Sequence, residues 1–243
     1  MNNKNFVIHK IKGKQFFKKK EDYVTEARSI KAAGGAKIYT NVKFSDESIK
    51  VGKNNSDILE IIDIVHGKII KVDGKWNNSY IDEAIKEIEY KVYYSLSKNI
   101  FISNVEKSIA YDVIKQLGKN SGFKIEKLAF TSGLKLRNLT ARIKGINSIN
   151  NVQFNMEKAD PEIKRGTFTG GELAKSPYVK SIKNKCTVKS ISLIIKDNNK
   201  GAKSNKKLKV KISGNGWVFF YEDYQIDTCL EFILYLINKK IFK

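Results

Sequence analysis

Between Leu173 and Lys211 twelve lysines stand against a single acid, Asp197, a net +11 in 39 residues of a 243-residue chain whose total is +21. Charge at that density is costly to bury, so it limits how the segment folds. Two runs inside it, Ser190–Lys196 and Lys207–Ser213, read as strands joined by a Gly/Asn/Lys loop. In the second run Leu208, Val210 and Ile212 alternate with Lys207, Lys209 and Lys211. Side chains alternate across a strand with period 2. The expected unit is a hairpin with one aliphatic and one cationic face, a surface that attracts polyanions.

Of 46 basic residues only four are arginine: Arg28, Arg137, Arg142 and Arg165. The chain is also rich in Asn, Ile, Phe and Tyr, residues that A/T-rich coding favours, which suggests a bacterial or phage source and accounts for part of the basicity. Coding bias does not account for its clustering. Lysine meets phosphate as a point charge, whereas arginine is the usual reader of base edges. A Lys-rich, Arg-poor surface therefore predicts DNA or RNA binding through the backbone, salt-sensitive and of low sequence specificity. The candidate contacts are Lys200, Lys203, Lys206, Lys207, Lys209 and Lys211 of the hairpin, with Lys135, Arg137, Arg142 and Lys144 of the acid-free stretch Leu134–Ile146, and Arg165. Structural ion pairing is the competing use of the arginines.

Hydropathy patterning gives the expected elements. A helix is expected from residue 21 to the pair Gly34-Gly35, then strands from Lys37 to Trp76 with a turn at Asp73-Gly74. Ile81, Ala84, Ile85, Ile88, Val92 and Leu96 have helical spacing, predicting a helix over Ser79–Leu96. Lys98–Ser103 reads as a strand, 104–117 as a helix capped by Ser103 and Glu106, and 123–130 as a strand, a βαβ order. Leu134–Ile146 fits a helix or a strand. Trp217, Phe219 and Tyr221 share a strand face with no lysine between 212 and 238, and are expected in the core. The last helix, from Asp227, is apolar nearly all round, so it is either buried or the contact of a homo- or hetero-oligomer. The expected fold is α+β, a mixed β-sheet with three or four helices in two lobes: 1–150 with the βαβ-like unit, and 151–243 with the basic hairpin and the C-terminal helix.

Several chemistries are excluded. Cys186 and Cys229 form no CxxC pair, and with His9 and His66 they do not supply the four clustered ligands that zinc takes. No Walker, Rossmann, kinase or catalytic-triad pattern appears. The first residues hold no apolar core of signal length, and no apolar run approaches the ~18 residues of a membrane span, so a cytoplasmic protein without a membrane partner is expected. One spelling carries a reaction: Asp63 followed by Asp73-Gly74-Lys75 has the D…(D/E)xK order with which nucleases of the PD-(D/E)xK type hold Mg²⁺. The Asp-Gly turn explains the same residues. A non-enzymatic nucleic-acid-binding protein, as one subunit of an assembly, is the leading expectation. A partner-binding subunit basic by drift and an Mg²⁺-dependent nuclease are the alternatives.

Overall fold

The computed structural model describes residues 4–12, 21–29, 37–52, 56–76, 79–105, 107–121, 124–157, 159, 162–196 and 207–243. The chain divides into two compact units, one of residues 7–126 and one of residues 1–6 with 127–243. The boundary expected near residue 150 falls inside a strand, β8 (Ile146–Asn155).

The unit of residues 7–126 is built from long antiparallel strands: β1 (Asn5–Lys12), β2 (Tyr23–Ser29), β3 (Lys37–Val51), β4 (Asp57–Trp76), β5 (Ser79–Ser95) and β6 (Ile100–Asn104). They lie in the order β2-β3-β4-β5-β6-β1. Isoleucine and valine dominate β4, and β3 buries Ile38, Thr40 and Val42 while exposing Tyr39, Asn41 and Lys43. The helix expected from residue 21 is overturned: β2 occupies that place and pairs antiparallel with β3, Tyr23 opposite Val42.

The helix expected over Ser79–Leu96 is overturned as well. Those residues form β5, paired with β4 from Trp76 opposite Ser79 to Glu60 opposite Tyr94. The spacing i, i+4 is even, so Ile88 and Val92 share a face in a strand as well as in a helix. Tyr90 and Tyr94 complete the strand face and are buried with Val92.

Helix α1 (Lys107–Ser121) follows β6, buries Ala110, Val113, Ile114 and Leu117, and contacts β2 and β3. It continues through Gly118, where an end was expected. The next strand, β7 (Lys124–Lys127), pairs with β1 rather than with β6, and Lys12 Nζ meets Glu126 Oε1 at 2.6 Å. Strand, helix, strand is thus the chain order, but β6 and β7 are not neighbours.

The second unit is an antiparallel sheet with its helices on one side. Its strands are β8, β9 (Arg165–Thr169), β10 (Thr187–Lys196), β11 (Lys207–Ser213) and β12 (Trp217–Phe220), in the order β9-β8-β10-β11-β12. The predicted basic hairpin is present, with Lys196 opposite Lys207 and Ser190 opposite Ser213. Gly214 and Gly216 shape the β11–β12 turn. Gly216 adopts φ 74°, and a Cβ on Gly214 would lie 3.0 Å from the Phe130 ring.

Val152, Phe154, Ile191, Leu193, Val210, Ile212, Val218 and Phe220 form the inner face. Helix α4 (Ile226–Asn238) is packed against this unit's core, with Leu230, Ile233 and Leu236 fully buried and Phe232 in edge contact with Phe220. Its apolar surface is therefore consumed inside its own unit, which removes the sequence ground for an oligomer contact there. Helix α2 (Leu136–Arg142) and helix α3 (Pro177–Ile182) bury Leu136, Leu139, Val179 and Ile182. The expected α+β fold with a mixed sheet is corrected to long antiparallel β-structure with a minority of helix, because β2 and β5 replace two expected helices. Among the described residues no helix is long and apolar enough to cross a membrane.

Candidate nucleic-acid interface

The outer face of the β9-β8-β10-β11-β12 sheet follows from strand alternation and register. One cross-strand row runs Thr167, Gln153, Ser190, Ser213, Trp217. The next runs Thr169, Asn151, Ser192, Lys211, Phe219. Beyond them Lys209 lies opposite Ile194, and Lys207 opposite Lys196. The face therefore grades from amides and hydroxyls on β8 and β9 to cations and aromatics on β11 and β12. Neither row contains an acid.

The aromatics correct a sequence expectation. Trp217 and Phe219 are half-buried, the Trp217 indole donating to Asn5 Oδ1 at 3.1 Å, and Tyr221 is 46% exposed, while their neighbours Val218 and Phe220 fill the core. Trp217 and Phe219 stack at 5.8 Å between centroids, and Phe219 meets Tyr221 edge-on at 5.1 Å. The missing interleaved cation comes from the adjacent strand, Lys211 Nζ lying 5.7 Å from the Trp217 centroid. β12 itself carries no cation. The signal available was the joint alternation of KLKVKIS and WVFF across a Gly-Asn-Gly turn.

The predicted cations divide into groups. Lys207, Lys209 and Lys211 share the outer face, as does Arg165 at the far end of β9 opposite Asn155. Lys200, Lys203 and Lys206 lie outside the described residues. Lys209 is partly neutralised, its Nζ 2.6 Å from Glu222 Oε1. That lysine, together with the Tyr224 hydroxyl at 3.1 Å, holds the Glu222 carboxyl below the usual carboxylate range. Lys180, Lys183 and Lys185 sit on or just after α3, whose Tyr178 packs against the inner-face residue Phe168 at 5.4 Å. The described lysines of residues 173–211 thus do not make one patch.

The α2 group has a different character. Arg142 Nη1 donates to the Lys240 carbonyl at 2.7 Å, and the Lys144 amide donates to the Tyr235 hydroxyl at 2.8 Å. Arg142 is committed to joining α2 to the end of α4. Lys135 bridges Thr187 through its backbone. Arg137 and Lys144 line a depression of about 590 Å³ with Thr140 and Lys183, a cationic pocket separate from the outer-face rows.

Asp63 and Asp73 stand ten residues apart on β4, about 30 Å at the rise of a strand, so they do not hold one ion together. Asp63 pairs with Lys91 at 3.3 Å, and Asp73 accepts the Tyr80 hydroxyl proton at 2.9 Å. The strand runs on through Asp73-Gly74, where its register shifts, to Trp76, so the turn expected there is a strand irregularity that places Lys75 opposite Tyr80. Among the described residues no three His, Cys, Asp or Glu side chains gather as a metal site. No protein-family model matches the chain, and no curated protein is similar to it.

Proposed function

We propose that the protein binds nucleic acid in the cytoplasm through the outer face of its β9-β8-β10-β11-β12 sheet. Lys207, Lys209, Lys211 and Arg165 meet phosphates, and the neighbouring hydroxyls and amides complete the contact. One observation carries this reading: the lysines of β11 lie on the same sheet face as Trp217, Phe219 and Tyr221. Aromatics that reach solvent beside cations, as Tyr221 does, are the combination that nucleic acid uses, whereas a purely solvated charged face has no need of them. Arg137 and Lys144 supply a second, peripheral anion contact. Binding of this kind requires no metal.

Fluorescence anisotropy of labelled DNA and RNA oligonucleotides between 50 and 300 mM salt tests it. Three to four neutralised phosphates give a log–log slope of roughly −2 to −3 on single strands. The triple substitution of Lys207, Lys209 and Lys211 by Ala should flatten that slope. A salt response near zero, or unchanged binding by the triple variant, removes the proposal.

A further inference from the structure

A shallow depression of about 590 Å³ opens on the outer face, bounded by Asn151, Thr169, Lys211 and Tyr221 and by Lys209 with its ion-pair partner Glu222. Tyr221 follows β12, yet its hydroxyl lies 3.1 Å from Ser192 Oγ on β10. Between those two strands runs β11. The phenol ring is therefore laid across β11 beside Lys209 and Lys211 and tied down at its far end, while 46% of the residue stays exposed. Its edge contact with Phe219 at 5.1 Å holds the ring from the other side. The Ser192 contact fixes it there as an aromatic floor.

The opposite wall is polar. Asn151 Nδ2 donates to Thr169 Oγ1 at 2.9 Å, which leaves the amide a second N–H and a carbonyl oxygen, and leaves the threonine its hydroxyl proton. Asn150, next to them, adds another amide. An aromatic floor, a wall of paired donors and acceptors, and ammonium groups at the rim together match one unpaired nucleotide: stacking for the base, hydrogen bonds for its edge, and charge for the flanking phosphates. A duplex offers neither a free base face nor an edge able to reach the floor. Resting on the nucleic-acid reading above, we propose that this depression is a nucleobase subsite centred on Tyr221, and that it makes the protein a single-strand binder.

The test compares wild-type protein on four labelled 12-mers of equal length: single-stranded DNA, single-stranded RNA, the DNA duplex, and a strand with abasic sites throughout. Single strands carrying bases should bind roughly ten-fold or more tightly than the abasic strand, the loss expected when stacking on one aromatic is removed. Y221A should lower single-strand affinity by a similar factor and leave duplex affinity within two-fold. Y221F, which retains the ring, should lose much less. Equal affinity of wild type for abasic and base-bearing strands overturns the subsite whatever the stability of Y221A. If that equality accompanies a steep salt slope, phosphate binding stands and the base subsite falls. If no strand binds at 50 mM salt, both fall.

Discussion

Lys211 Nζ stands 5.7 Å from the centre of the Trp217 ring, one strand away across the antiparallel pair β11–β12. The contact holds a long, flexible side chain over an aromatic, which on the proposed reading would limit its loss of freedom on meeting a phosphate. Lys211→Ala should cost at most about 1 kcal/mol of stability, as a cation–π pair at a partly exposed site does. It should also reduce the salt slope of single-strand binding by about 0.7, one phosphate contact. Denaturant melts and anisotropy titrations at four salt concentrations check both numbers.

Glu222 holds Lys209 Nζ at 2.6 Å, so on the proposed reading it would compete with phosphate for that lysine. Replacing it by glutamine removes that competition, so Glu222→Gln should tighten binding and steepen the salt slope. Because the folded carboxyl titrates below its ordinary value, the pair is intact above the ordinary carboxylate pKa and is lost only as pH falls through the lowered one. Wild-type affinity should therefore show no change attributable to this pair between pH 6 and 8. Titrations of both proteins across that range test the claim, and a wild-type rise in affinity on acidification within it would count against the assignment.

The α2–α4 junction is expected to matter for stability and not for binding. Tyr235 donates to the Arg142 carbonyl at 3.2 Å and accepts from the Lys144 amide at 2.8 Å, while Arg142 Nη1 reaches the Lys240 carbonyl. Tyr235→Phe removes two hydrogen bonds, and Arg142→Ala one charged one, for losses of about 1–3 kcal/mol each. Urea melts measure this. Oligonucleotide affinity of the folded Arg142→Ala protein should equal that of wild type.

How much of this was legible in the residues differs by element. The basic hairpin could be found because KLKVKIS alternates strictly, and its partner strand is equally β-branched. The Ser79–Ser95 strand could not, because Ile81 with Ile85 and Ile88 with Val92 are each four residues apart, a spacing that fits either period, and only the long pairing with β4 decides between them. At the candidate site, the lysines were visible one by one. Their grouping with Trp217, Phe219 and Tyr221 was not, since it depends on register between strands, which is a tertiary property. Arg142 shows the reverse case. A surface cation in an acid-free segment suggested phosphate, but a carbonyl at a helix end had already claimed it.

The two thiols give a last expectation, independent of any ligand. Cys229, 4% exposed on α4, has its thiol pushed up to about 12 by burial, and burial likewise raises Cys186, which is 0% exposed. Thiolate is the species that attacks alkylating reagents, and at pH 8 a group with that pKa is ionised in about one molecule in ten thousand. Iodoacetamide at pH 8 should therefore leave the native protein's mass unchanged over an hour and add two labels once urea unfolds it. Labelling of Cys229 in the native protein at the rate of a free thiol would mean that α4 leaves the sheet readily. The inner face would then be open to water for part of the time, and the helix would again be available to a partner.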